Sequence, residues 1–125
     1  MELTSGTVKH QAAELLARMV DGPTPWVDDL ADVAMRAWEH TDEPVERIVE
    51  AILSRPMMVV RARELQTGDV VAQPWVRTVT APPCMKDGRL VLDLDHGSVD
   101  VTVGKMVARF VRYGEVVGRL RGRHT

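Results

Sequence analysis

Three carboxylates and an imidazole fall within eight residues, at Asp93, Asp95, His96 and Asp100. Oxygen donors in that density suit a hard cation, provided they converge on one side of the chain. Asp93 and Asp95 are two apart and would share a strand face. The twelve-residue calcium-loop spacing nevertheless fails, because Gly104 stands where the closing glutamate belongs. Zinc would need more His or Cys within reach. The pattern therefore reads as a solvated strand face ending in an Asp95-His96-Gly97 turn, and no metal is expected. Cys84 is the only thiol, set in Ala81-Pro82-Pro83-Cys84-Met85. A nucleophilic thiolate needs a partner base and a setting that lowers its pKa. His96 is a candidate base, but no pattern in the chain brings it to Cys84. Glu14 with His10, and Glu39 with His40, suit charge pairing on helices better than acid–base work. The nine glycines are scattered at turns, so no loop offers closely spaced backbone donors to a phosphate. The expectation is a protein that is not an enzyme and carries no cofactor.

Binding chemistry is better represented. Thirteen of the 16 basic residues are arginine, and most lie in the second half of the chain. Arg61, Arg63, Arg77, Arg119, Arg121 and Arg123 are the candidate phosphate contacts for DNA or RNA. Three lie in the terminal run Gly118–His124, read as a basic tail. Against that reading, only Trp75, Phe110 and Tyr113 offer stacking surfaces in that half, and the third helix exposes Glu43, Glu46 and Glu50. For protein recognition the candidates are Trp75, Met57 and Met58, since tryptophan anchors interfaces and methionine adapts to partners.

The elements that must carry these side chains divide the chain in two. Apolar residues recur at helical spacing in Thr7–Val20, from about Trp26 to His40, and again through Val45, Ile48, Val49 and Ile52. Asp21-Gly22-Pro23 stops the first helix, and Thr24-Pro25 is read as the cap and first turn of the second. Arg55-Pro56 ends the third. After Met57 the period becomes two, and 14 of the 20 valines follow. Strands are predicted at Met58–Arg63, Asp69–Gln73, Trp75–Thr80, Arg89–Asp95, Ser98–Val103 and Arg109–Tyr113. Lys86-Asp87-Gly88 and Asp95-His96-Gly97 are read as hairpin turns. Between Arg89 and Val103 an alternation is read, with Leu90, Leu92 and Leu94 on one side and Arg89, Asp93 and Asp95 on the other, as in strands with one wet face. So many short antiparallel strands in so little chain predict a small, bent barrel. A faint echo aligns Ala62–Gln73 with Ala108–Arg119, which extends the strand expectation to Glu115–Leu120.

The run Val60-Arg61-Ala62-Arg63-Glu64-Leu65-Gln66-Thr67-Gly68-Asp69-Val70-Val71 resembles the lead-in of many small barrels, with Val79-Thr80, Asp87–Leu92 and Gly97 following in order. It is similar to Src-homology-3-like barrel proteins of unknown function in actinobacteria and their phages. The hedgehog/intein fold shares the Gly-Asp lead-in, but its splice-junction Cys or Ser and terminal His-Asn pair are missing. The resemblance implies a barrel fold and an accessory role on a host protein.

The expected architecture is thus α+β, with a helical unit at 1–56 packed on a small antiparallel β-barrel with a basic tail at 57–125. A net charge of −2 conceals 5 basic against 11 acidic residues before Met57, and 11 against 7 after it. The expected role is that of a non-enzymatic, cytoplasmic, protein-binding accessory factor, phage-encoded if the resemblance carries over. DNA or RNA binding is the alternative, no membrane partner is expected, and homo-oligomerisation is left open. No run of about 18 apolar residues is present, and no signal peptide is expected from Met1-Glu2-Leu3-Thr4-Ser5.

Overall fold

A computed structural model describes residues 3–19, 26–72 and 76–122. It is α+β, with four helices and a six-stranded antiparallel sheet. The chain divides into a helical unit, Met1–Pro56 with Val111–Thr125, and a sheet unit, Met57–Phe110. Among the described residues no helix is long and apolar enough to cross a membrane.

In the helical unit, α1 (Ser5–Met19), α2 (Val27–Trp38) and α3 (Val45–Ser54) follow the apolar periods of the sequence. The first helix starts two residues earlier than predicted, because the Thr4 hydroxyl accepts the Thr7 amide at 3.2 Å and caps it. Thr24 and Pro25, expected to restart the chain, lie outside the described residues; α2 has Trp26 as its N-cap. Val8, Ala12 and Leu16 of α1 are buried, as are Leu30, Ala31, Ala34 and Ala37 of α2. Alanines on α2 let neighbouring helices approach closely. At the rim, the Ser5 hydroxyl donates to Glu39 at 2.9 Å, and Lys9 lies 3.8–3.9 Å from Asp28 and Asp32.

The last segment corrects the sequence reading. Glu115–Leu120, expected as a strand leading into a basic tail, lies within a helix, α4 (Tyr113–Gly122). The Glu115 carboxylate reaches back to the Arg112 amide at 2.8 Å, the side-chain half of a capping box. Val116, Val117 and Leu120 are buried, and α4 packs on α2 and α3. The echo between Ala62–Gln73 and Ala108–Arg119 thus has no structural counterpart, since one copy is turn and strand while the other is strand and helix.

In the sheet unit the order is β1 (Met57–Arg61), β6 (Met106–Phe110), β2 (Val70–Val71), β3 (Arg77–Lys86), β4 (Arg89–Leu94) and β5 (Gly97–Val101). No ladder joins β1 to β5 among the described residues, so the sheet has two edges. Several strand limits differ from expectation. β1 stops at Arg61 because a short 3-10 helix, Ala62–Glu64, turns the chain away. β2 is only two residues long, and β3 begins at Arg77 but runs on through Pro82-Pro83 to Lys86. The register slips between Val79 and Cys84, where two prolines lack the donors a regular ladder requires. Asp87 (φ +53°) and Gly88 (φ +78°) form the two-residue turn from β3 to β4, as their sequence suggests. Leu90 and Leu92 face inward with Ala62, Leu65, Val71 and Val79, and Val60, Leu94, Val101 and Val107 pack around them.

Two substitutions probe these assignments. Leu120→Ala removes a side chain only 2% exposed and is expected to cost about 2–5 kcal/mol in urea unfolding; a frayed tail would show no loss. Gly88→Ala meets open space, so its expected cost of about 1–2 kcal/mol comes from the positive φ alone, read as a lowered unfolding midpoint.

Candidate functional site: the outer face of the β1 edge

The backbone of β1 is sorted by its bonds. The Ala62 amide donates to the Lys105 carbonyl at 2.8 Å, and the Val111 amide to the Pro56 carbonyl at 2.9 Å. In an antiparallel ladder the polar groups alternate from side to side. Met58 and Val60 therefore direct theirs at β6, whereas Met57, Val59 and Arg61 direct theirs outward. The Arg61 amide is met there by the Glu64 carboxylate at 3.3 Å. What remains of the edge is the pair Met57 and Val59.

Side chains follow the same alternation. Met58 and Val60 lie on the face shared by Arg109, Val107 and Val71, which is the core side. Met57, Val59 and Arg61 lie on the other face, paired with Phe110, Ala108 and Met106. There Val59 is 67% exposed, Met106 48% and Met57 38%, three apolar side chains grouped on one pair of strands. Exposed apolar groups in a cluster, unlike scattered ones, mark interaction surfaces. Of the sequence candidates, Met57 belongs to this face. Met58 is half-buried and points to the other side, and Trp75 lies outside the described residues. Val59 and Met106 were not singled out from sequence; only the period-two alternation through Met57–Arg61 would have put Val59 beside Met57.

The arginine candidates are dispersed. Arg61 and Arg63 are exposed at the end of β1 and in the turn after it. Arg77 on β3 is half-buried, with a guanidinium nitrogen 3.4 Å from the Val76 carbonyl. Arg119 is engaged within the helical unit, donating from Nη1 to the Ala51 carbonyl at 2.8 Å. Burial lowers its pKa below the ordinary arginine value, nearby Arg55 adds to the fall, and Glu115 opposes it. Arg121 is exposed and borders a cleft of about 320 Å³ with Thr41, Asp42, Glu43 and Leu120. Arg123 lies outside the described residues. Arg61 and Arg63 thus belong to one unit, and Arg119 and Arg121 to the other.

The catalytic and metal candidates are not assembled either. Cys84 is exposed on β3 opposite Val91. His96 lies in the turn beyond Leu94, five residues after Val91, and Leu94 itself is already about 10 Å farther along β4. Asp93 accepts the Ser98 hydroxyl at 2.5 Å, and Asp95 sits 3.8 Å from His96. Among the described residues no group of three or more metal-ligating side chains converges. No family model matches the chain, nor does any curated protein or solved structure.

Arg119 serves as a tie between α4 and α3, which sets a test against its use as a phosphate contact. Arg119→Ala should lower stability by about 1 kcal/mol in urea unfolding. Arg121→Ala, at an exposed position, should leave stability within about 0.5 kcal/mol of the parent.

Proposed function

We propose that the chain is a non-enzymatic protein-binding factor whose contact surface is the outer face of β1 and β6. The observation that carries this reading is the exposure of Val59 between Met57 and Met106 on one sheet face. Large apolar side chains left in water cost solvation free energy that a partner's surface would recover. The six short antiparallel strands of the sheet unit are in keeping with a small barrel as its finer description. The lead-in Gln66-Thr67-Gly68-Asp69-Val70-Val71 carries the further suggestion of an accessory factor from an actinobacterium or its phage, acting on a host protein in the cytoplasm. Nucleic-acid binding is the less supported reading, because its arginine candidates are divided between the two units, with Arg61 and Arg63 on one and Arg119 and Arg121 on the other.

A photo-crosslinking residue placed at position 59 should capture one protein in stoichiometric yield from host lysate. Met106→Lys should abolish that capture, since it puts a charge on the apolar face beside Val59, while leaving the folded spectrum intact. A lysate that yields no crosslink, or one unaffected by Met106→Lys, would remove the face from the argument. Retardation of mixed DNA at low salt that Arg61→Glu with Arg63→Glu eliminates would favour the alternative.

A further inference from the structure

The β1 edge has the chemistry of a docking strand, and its flanks state what should dock. From Met57 to Val60 it carries no charge, whereas the opposite edge strand, β5, carries Ser98 and Asp100. Natural sheets normally guard an edge with charge or by covering it. Here the guard is confined to one end, where Glu64 covers the Arg61 amide. The outward polar groups of Met57 and Val59 remain in line with an apolar face. At the guarded end stand the exposed cations Arg61, Arg63 and Lys105, against the single carboxylate of Glu64.

We propose that β1 accepts an extended acidic–apolar peptide segment as an added antiparallel strand. The inference rests on the reading of the β1–β6 face as a protein-binding surface and names the partner's chemistry. Added strands gain affinity from main-chain bonds and specificity from alternate side chains. On the outer face those side chains meet Arg61, Val59 and Met57 in turn. The segment recognised is therefore Asp or Glu, any residue, apolar, any residue, apolar. A second copy of this chain fits less well. Pairing antiparallel about Val59, it would set a methionine opposite Arg61 where a carboxylate is wanted.

The test uses the full chain and a capped peptide, Thr-Glu-Thr-Val-Thr-Val-Thr, with a control in which Glu is replaced by Lys. Hydrogen exchange should slow at the Met57 and Val59 amides on peptide addition, and stay unchanged at Arg61, whose amide is already bonded. The Lys control should bind at least about fivefold more weakly, and Arg61→Glu should reverse that preference. N-methylation of the central peptide bonds should remove binding. Side-chain shifts at Met57, Val59 and Met106 without amide protection would overturn strand addition and leave the face as a binding surface. Protection that grows with protein concentration in the absence of peptide would overturn it in favour of self-association. No binding at millimolar peptide would also overturn it; the face itself is judged separately by the crosslink at position 59. Should Arg61→Glu fold poorly, the Glu-to-Lys peptide comparison on the parent protein decides the charge requirement alone.

Discussion

The sheet unit hangs on the turn Gln66–Asp69. Gly68, at φ +94°, allows the chain to reverse there, and its amide donates to the Val79 carbonyl at 2.8 Å. The Val79 amide returns a bond of the same length to the Asp69 carbonyl, and the buried Asp69 carboxylate accepts the Gln66 amide at 2.8 Å. A residue with a Cβ would strain that reversal, and a buried carboxylate without its donors would be costly. With the turn locked to β3, a strand as short as β2 can hold its place between β6 and β3. Leu65 and Val71, on either side of the turn, then enter the core with Val79, Leu90 and Leu92. The seating of β6, and so the exposure of β1 as an edge, follows from that placement.

The helical unit has its own dependence on a polar contact. α4 brings Val116, Val117 and Leu120 to α2 and α3, and Arg119 ties it to the end of α3 through Ala51. This changes the meaning of the charge pattern. With the last segment counted among the helices, that unit holds 9 basic against 12 acidic residues, and the sheet unit 7 against 6. The division into an acidic half and a basic half is largely a property of the linear order. Four of the second-half arginines offset carboxylates in the helical unit, and the sheet unit is close to neutral. Local grouping near Arg61 therefore matters more than net charge.

The first three helices were legible because each carries an uninterrupted apolar stripe. The Asp87-Gly88 turn was legible because that pair suits two consecutive positive φ values. The leucine alternation of β4 marked its buried face correctly. The echo with Ala62–Gln73 suggested a strand where α4 lies, and Gly114, Gly118 and the Val116-Val117 doublet, all of low helix propensity, gave no helical signal against it. Glu115, three residues after Arg112, was the contrary signal, and tertiary packing decided the matter. β3 was cut short because Pro82-Pro83 reads as a loop, whereas an irregular ladder tolerates it. The docking face was half legible: Met57 stood out as part of a methionine doublet. Met57–Val60 is apolar on both faces, so its sequence does not distinguish the core side from the exposed one. That distinction needed the register with β6.

The helical unit is closed by residues from both ends of the chain, with the sheet inserted between Pro56 and Val111. Those two residues are joined by a hydrogen bond of 2.9 Å, and the insert's own first and last residues, Met57 and Phe110, are directly opposed. The insert thus enters and leaves at a single doorway. During synthesis, α1 to α3 leave the ribosome first, then the whole sheet, and only afterwards the helix that completes the first core. Translation therefore delivers the inserted sheet in full while its host fold is still missing a wall.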